Sequence, residues 1–88
     1  MISLCLPTRG RPELFKRMCM SALNTASNPN DIEFVVYRDD DDASVYEYFG
    51  NHKEVVGDRI FQSAMFNECQ KIATGPIYMW AVDDIVFF

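Results

Sequence analysis

Short, mostly apolar runs alternate along this chain with segments in which apolar residues recur at helical spacing, and this alternation constrains the fold most strongly. The runs at 2–6, 32–37 and 77–82 have the length and apolar character of strands covered on both faces, as in a parallel sheet. The order β-α-β-α-β-α-β predicts an α/β fold, with a mostly parallel sheet and flanking helices. With 88 residues, the chain is expected to form a single domain, residues 1–88.

Two amphipathic segments are predicted to form the main helices. The first is expected to begin near Glu13, because Pro12 suits the first helical position, and Asp58 is expected to cap the second. Each segment places apolar residues on one helical face. These residues are Leu14, Phe15, Met18, Cys19, Ala22 and Leu23 in the first segment and Phe61, Ala64, Met65, Cys69 and Ile72 in the second.

The region between these helices is predicted to be less regular. Ser44 is expected to cap a short helix through residues 45–49, followed by a loop at 50–53 and a brief strand at 54–56. The run at 77–82 contains no charged residue, as is typical of a central parallel strand covered on both sides.

Polar residues follow directly where three of the predicted strands end. Thr8 and Arg9 follow the first strand, residues 39–42 are four aspartates after the second, and Asp83 and Asp84 follow the last. Because the carboxyl ends of parallel strands meet at one edge, where ligands of such sheets bind, these groups are expected to converge. Two adjacent carboxylates suit Mg²⁺ or Mn²⁺. The alternative is a solvated strand end.

The first turn of the chain is a candidate anion site. Thr8, Arg9 and Arg11 lie where backbone N–H groups and a helix N-terminus favour an anion, and a guanidinium there can pair with a phosphate. An exposed basic turn is the alternative. Asp39, nearest its strand end, is expected to accept hydrogen bonds from a nucleobase N–H or ribose hydroxyls, whereas residues 40–42 are expected to face solvent.

Composition excludes several classes of function. A net charge of −5 disfavours binding to nucleic acid or anionic membranes, and no stretch approaches the ~20 apolar residues of a membrane span. Neither a GxGxxG nor a P-loop sequence is present, and His52, the one histidine, is expected at the surface in a loop. The three cysteines are expected to be reduced core thiols, and a cytoplasmic location is expected.

Taken together, the segments at 2–11, 32–40 and 67–84 resemble the amino-terminal half of family 2 glycosyltransferases, which have the GT-A (nucleotide-diphospho-sugar transferase) fold. The last segment carries the most specific likeness. In the family an asparagine, then an alanine and a glycine separated by one residue, precede an apolar strand that ends in a DxD-type motif. Asn67, Ala73, Gly75 and the aspartate pair keep that order here.

The resemblance implies a set of binding residues. Thr8 and Asp39 would contact the nucleoside of a nucleotide-sugar donor, with UDP-sugar the first expectation. The terminal motif would hold Mn²⁺ or Mg²⁺ on the donor diphosphate. Because Val82 stands where the first DxD aspartate is usual, Asp84 is the principal metal candidate and Asp83 the second. Many relatives carry an arginine just before the asparagine, where this chain has Phe66. Arg59, seven residues earlier, is the candidate for that arginine. The candidates for nucleotide binding are Thr8, Arg9, Arg11, Asp39, Arg59 and Asn67.

The same resemblance implies a further acceptor-binding half, which usually supplies the catalytic base. The chain is therefore expected to be a fragment, with an unpaired edge strand that favours a homodimer or pairing with the missing half. One alternative function is a non-catalytic binding or assembly module with the GT-A half-fold. Another is a different phosphate enzyme that uses a strand-end carboxylate as phosphoacceptor, although no supporting strand-end Lys or Thr set is evident.

Overall fold

A computed structural model describes residues 2–26, 28–48, 50–58 and 60–81 of the protein. All the strands in this part are parallel and form one sheet in the order β3-β2-β1-β4. A helix lies on each face of the sheet, so the α/β fold with a parallel sheet and flanking helices is confirmed. The elements are β1 (Ile2–Thr8), α1 (Pro12–Thr25), a 3-10 turn (Pro29–Asp31), β2 (Ile32–Asp39), β3 (Asn51–Gly57), α2 (Gln62–Ile72) and β4 (Ile77–Trp80).

The two central strands, β1 and β2, are buried along most of their length. They pair in parallel, with Leu4 opposite Phe34 and Cys5 opposite Val35. Successive side chains point to opposite faces, so Leu4 and Phe34 pack on the α1 side while Cys5 and Val35 pack on the α2 side. Covering both faces explains why these two runs are almost continuously apolar.

Helix α1 forms as its apolar spacing predicts. Pro12 stands in its first turn, and Phe15, Met18, Cys19 and Ala22 are its buried residues. Together with the facing side chains of β1 and β2 they make the larger of the two cores. The three cysteines are free and buried, and burial raises the pKa of Cys5 to about 11 and the pKa values of Cys19 and Cys69 to about 12. They are thiols of the core, as predicted.

Helix α2 covers the opposite face, but it begins later than predicted. Phe66 and Cys69 pack against β1 and β2. Phe61, by contrast, is the N-cap residue with extended backbone and is 87% exposed, so it belongs to no core. Asp58 does not cap the helix, because the N-cap is Phe61; the Asp58 carbonyl accepts a hydrogen bond from the Tyr37 hydroxyl at 2.5 Å. That contact holds residue 58 to β2, four residues before the helix starts.

The short helix predicted after Ser44 is absent from residues 42–48, which run without regular structure. Burial alternates along this stretch: Val45 and Glu47 are exposed, while Tyr46 and Tyr48 turn inward. Both rings meet Phe15 edge-on, at centroid distances of 5.4 and 5.6 Å. The spacing of the two tyrosines therefore has the period of an extended chain, not of a helix. Phe49 lies outside the described residues.

Strand β3 is longer than predicted and includes residues 51–53, which were expected to form a loop. Gly50 precedes it with a φ of +69°, in the left-handed region that glycine favours. Asn51 then pairs with Glu33, and Lys53 pairs with Val35. His52 is exposed, as predicted, but it lies in this strand and stacks on Tyr48 at 4.3 Å.

Strand β4 lies at the edge of the described sheet, not at its centre as predicted. It pairs with β1 alone among the described strands, and all four of its residues are exposed. Trp80 is 54% exposed, although one ring face stacks on Phe66 at 4.7 Å. The uncharged run thus forms an edge strand whose four side chains are exposed in the described structure. No helix in the described part of the chain is long and apolar enough to cross a membrane.

A buried polar cluster joins the amino ends of the strands to the segment after α2. Glu33 Oε2 accepts hydrogen bonds from the Ser3 hydroxyl at 2.8 Å and from the Thr74 backbone N–H at 3.0 Å. Its Oε1 lies 2.9 Å from Lys53 Nζ, which also donates to the Ile72 carbonyl at the end of α2. Ser3 in turn accepts the Gly75 N–H at 3.0 Å. The cluster fastens α2 to β1, β2 and β3.

At the other end of β3, Gly57 lies against Tyr37. A Cβ added at Gly57 would lie 2.7 Å from the Tyr37 hydroxyl oxygen, which real contacts do not tolerate. We therefore expect Gly57→Ala to lower the free energy of unfolding by about 1–3 kcal/mol, measured by urea denaturation. The same change made together with Tyr37→Phe, which removes that oxygen, is expected to cost less; an equal loss in both backgrounds would show that the contact is not the cause.

Candidate functional site

The ends of β1 and β2 lie side by side at the carboxyl edge of the sheet. Thr8 pairs with Arg38, so Thr8 and Arg9 are next to Asp39. Strand β2 pairs with one side of β1, and β4, which comes later in the chain, pairs with the other side. Ligands of parallel sheets bind at such a reversal of strand order, outside the carboxyl ends. The predicted convergence of the first two strand ends is present.

Asp39 is the most unusual residue at this edge, because its carboxylate is buried but only half satisfied. Its side chain is 2% exposed, and Oδ2 accepts a hydrogen bond from Arg9 Nη1 at 2.9 Å. The other oxygen, Oδ1, has no hydrogen-bond partner in the described structure. A buried acceptor without a partner costs free energy and is rare in folded proteins. Oδ1 therefore has an unused capacity to accept a hydrogen bond, but the atom is buried, so a ligand donor could reach it only after the side chains that cover it move.

Arg9 connects Asp39 to Asp41. Its Nη1 lies 2.5 Å from Asp41 Oδ1, and its Nη2 donates to Asp41 Oδ2 at 3.4 Å. The Arg9 side chain is 42% exposed, and the Asp41 side chain is 62% exposed. The predicted cation is thus present beside the strand ends, but in this structure it is paired with two carboxylates.

The backbone of the turn after β1 is exposed at Gly10. Gly10 has a φ of +63°, and a Cβ placed there would meet no atom within 4 Å. Arg11 occupies the N-cap position of α1 with an exposed side chain that makes no capping hydrogen bond, and its carbonyl accepts the Phe15 N–H. Among the described residues, nothing packs against the backbone of this turn at Gly10.

Asp42 holds that turn in place. It is buried, and it accepts hydrogen bonds from the Gly10 N–H at 3.0 Å, the Ser44 N–H at 3.0 Å and the Tyr46 hydroxyl at 2.5 Å. These donors, Tyr46 foremost, hold the pKa of Asp42 well below its ordinary range despite burial. The prediction that residues 40–42 all face solvent is therefore wrong for Asp42, since the turn needs its acceptor oxygens; Asp40 and Asp41 are exposed.

Thr8 belongs to the same hydrogen-bond network as Asp42. It is 5% exposed, and its side chain hydrogen-bonds Tyr46, which in turn donates to Asp42. The roles of Asp42 and Tyr46 were missed from the sequence. An aspartate whose side chain accepts the N–H two residues later is a known turn signal, and Asp42 followed by Ser44 at that spacing carries it.

The remaining candidates are not brought into this group by the described structure. Asn67 lies midway along α2 with an exposed side chain, and no described hydrogen bond links it to Thr8, Arg9 or Asp39. Arg59, Asp83 and Asp84 lie outside the described residues. In the sequence, the aspartate pair begins two residues after Ala81, which is buried and donates its N–H to the Cys5 carbonyl.

The described carboxylates do not fit a divalent cation. Within residues 2–26, 28–48, 50–58 and 60–81, no three His, Cys, Asp or Glu side chains are grouped so that they could hold a metal ion. Asp39 and Asp41 face Arg9, and Asp42 is used by the turn. A cation at this edge would depend on Asp83 and Asp84, which lie outside the described residues. Comparison with known proteins gave neither a matching family model nor a significantly similar curated sequence.

Proposed function

We propose that this chain is the nucleotide-sugar-binding part of a family 2-like glycosyltransferase and that it binds a UDP-sugar, together with Mn²⁺ or Mg²⁺, at the carboxyl edge of its sheet. The observation that carries the proposal is the buried carboxylate of Asp39, with one oxygen on Arg9 and the other without a partner. A ligand hydrogen bond to Oδ1 would remove the cost of that unsatisfied acceptor.

The Asp39 carboxylate is better suited to contact the nucleoside of a ligand than its phosphate. A carboxylate accepts hydrogen bonds, so it suits a nucleobase N–H or ribose hydroxyl and repels a phosphate oxygen. Arg9, one strand away, carries the donors that a phosphate needs. A ligand with a neutral hydrogen-bond donor at one end and a phosphate next to it matches this pair of side chains.

The charge at this edge supports a cation as the third component. Residues 39–42 contribute four carboxylates, two of which already share the guanidinium of Arg9. A diphosphate approaching this surface would meet an excess of negative charge, which a divalent cation would offset. In the proposed assignment Asp84, with Asp83, would hold that cation. The acceptor stays unassigned.

A titration of the ¹⁵N-labelled protein with UDP tests this assignment. We expect saturable binding at up to millimolar UDP, strengthened by Mg²⁺, with the largest amide shifts at Thr8, Arg9 and Asp39 because these residues line the proposed site. Uridine should shift the Asp39 region without the full effect at Arg9. Shifts confined to α2 or β4, or none at millimolar UDP, would contradict the proposal.

A second candidate is a non-catalytic assembly module, and the exposure of β4 favours it. Ile77, Tyr78, Met79 and Trp80 are uncharged and exposed, so two copies could pair along this edge without placing like charges opposite each other. The proposed homodimer would use this edge, whereas pairing with a further acceptor-binding half would cover it instead. Sedimentation at micromolar protein distinguishes a dimer from a monomer.

The compartment proposed for the protein is the cytoplasm. Its three cysteines are free and buried within two different cores, as is usual where thiols remain reduced.

A further inference from the structure

The guanidinium of Arg9 is shared between a buried and an exposed carboxylate. Nη1 contacts Asp39 Oδ2 at 2.9 Å and Asp41 Oδ1 at 2.5 Å, while Nη2 reaches only Asp41, at 3.4 Å. Asp39 is 2% exposed and Asp41 is 62% exposed. The two partners therefore differ in how easily water or a ligand can replace them.

We propose that Asp41 is an internal competitor for Arg9, which an anionic ligand must displace, and that it thereby lowers the affinity of this site for phosphate groups. This inference rests on the proposed function, because it concerns the phosphate end of the same nucleotide site. The rigid fork of the guanidinium offers five N–H donors, so Arg9 can keep its bond to Asp39 while it exchanges Asp41 for a phosphate oxygen.

The neighbouring aspartates cannot take this role. Asp42 is held by Gly10, Ser44 and Tyr46, and releasing it would open the turn. Asp40 is exposed, and its described hydrogen bond is from its backbone N–H to the Gly57 carbonyl at 2.8 Å. Asp41 is thus the exposed carboxylate that contacts Arg9 without accepting the Gly10, Ser44 and Tyr46 hydrogen bonds that position the turn.

The test compares Asp41→Asn with Asp40→Asn, which removes the same charge one residue away without removing the contact to Arg9. The probe is inorganic pyrophosphate in metal-free buffer, followed by calorimetry. Exposed ion pairs are worth about 0.2–1 kcal/mol, so Asp41→Asn is expected to tighten binding by about 1.5- to 5-fold. Asp40→Asn should produce a smaller gain that disappears at high salt, because it acts only through long-range charge.

Arg9→Gln provides the second control. If Asp41 acts through Arg9, adding Asp41→Asn to Arg9→Gln should bring no gain beyond that of Asp40→Asn in the same background. An equal gain with and without Arg9, equal effects of the two asparagine variants, or no pyrophosphate binding by any variant would each overturn the inference.

Parallel titrations with uridine and UDP separate this inference from the proposed function. If Asp41→Asn strengthens pyrophosphate binding but uridine does not bind and UDP binds no better than pyrophosphate, the competition stands and the nucleotide assignment fails. If UDP binds through Asp39 and Asp41→Asn changes nothing, the nucleotide assignment stands and the competition is overturned.

Discussion

Replacing Glu33 with alanine is expected to lower the free energy of unfolding by about 2–4 kcal/mol, because several donors of the protein lose a buried acceptor. Glu33 is 4% exposed, and its carboxylate accepts bonds from Ser3, Thr74 and Lys53. Removing it leaves the Lys53 ammonium group and three other donors without their acceptor: the Ser3 hydroxyl, the Thr74 backbone N–H and the Thr74 hydroxyl. Urea denaturation monitored by circular dichroism measures the loss.

Glu54→Ala is the matched control. Glu54 also lies in the sheet and also pairs with a cation, Arg38, at 3.1 Å, but it is 30% exposed. Water can replace its contacts, so the expected loss is below about 1 kcal/mol. Similar losses for the two variants would show that the Glu33 cluster does not fasten α2 to the sheet.

Acid should weaken the same cluster. Burial raises the pKa of Glu33, but the bonds from Lys53, Thr74 and Ser3 outweigh it and lower the pKa from 4.5 to about 2. The stabilisation is therefore fully present above about pH 4.5 and is lost as the pH falls towards 2, by about 3 kcal/mol in all. Glu33→Gln should make the decline of stability between these pH values shallower, and the remaining decline comes from Asp42 and Glu54, whose pKa values are also lowered in the fold; an unchanged decline would contradict the assignment.

Asp39→Asn is expected to weaken UDP binding by about 10- to 100-fold, since a hydrogen bond to a charged group contributes about 1.5–3 kcal/mol. Its effect on stability should be small, within about 1 kcal/mol. The variant loses a part-exposed pairing with Arg9 but also removes a buried charge with an unsatisfied oxygen. Calorimetry measures the first quantity and urea denaturation the second.

The contrast between these two buried carboxylates is the physical basis for assigning different roles to them. Both oxygens of Glu33 are engaged by donors of the protein, so its role is structural. Asp39 keeps one buried oxygen without a hydrogen-bond partner among the described residues, so it is the carboxylate to which the ligand contact is assigned. If Asp39→Asn destabilised the fold as much as Glu33→Ala, that distinction would be wrong.

The sequence predicted the strands that are buried on both faces and failed at the two edge strands of the described sheet. The central strands β1 and β2 and the stripe of α1 are apolar because both faces of the sheet are covered. Strand β3 begins with Asn51, His52 and Lys53, which are polar because it is an edge strand, so it was predicted as a loop. Strand β4 is apolar at the opposite edge, and its uncharged run was therefore mistaken for a central strand.

The site was predictable to the extent that it depends on strand ends. Thr8, Arg9 and Asp39 meet because parallel strands end at one edge. The role of Asp42 depends on contacts with Gly10 and Tyr46, 32 and four residues away, respectively. No local pattern specifies the contact with Gly10, which is distant in the sequence. The inward alternation of Tyr46 and Tyr48, by contrast, can be seen in the sequence if the segment is taken as extended.

The most direct test of the nucleotide-site hypothesis is a side-by-side calorimetric titration of the wild-type protein and Asp39→Asn with UDP in the presence of Mn²⁺. The predicted result is saturable binding to the wild type and a loss of at least about tenfold in affinity in the variant, with both proteins equally folded. Equal affinities, or no heat from the folded wild type at millimolar UDP, would contradict it.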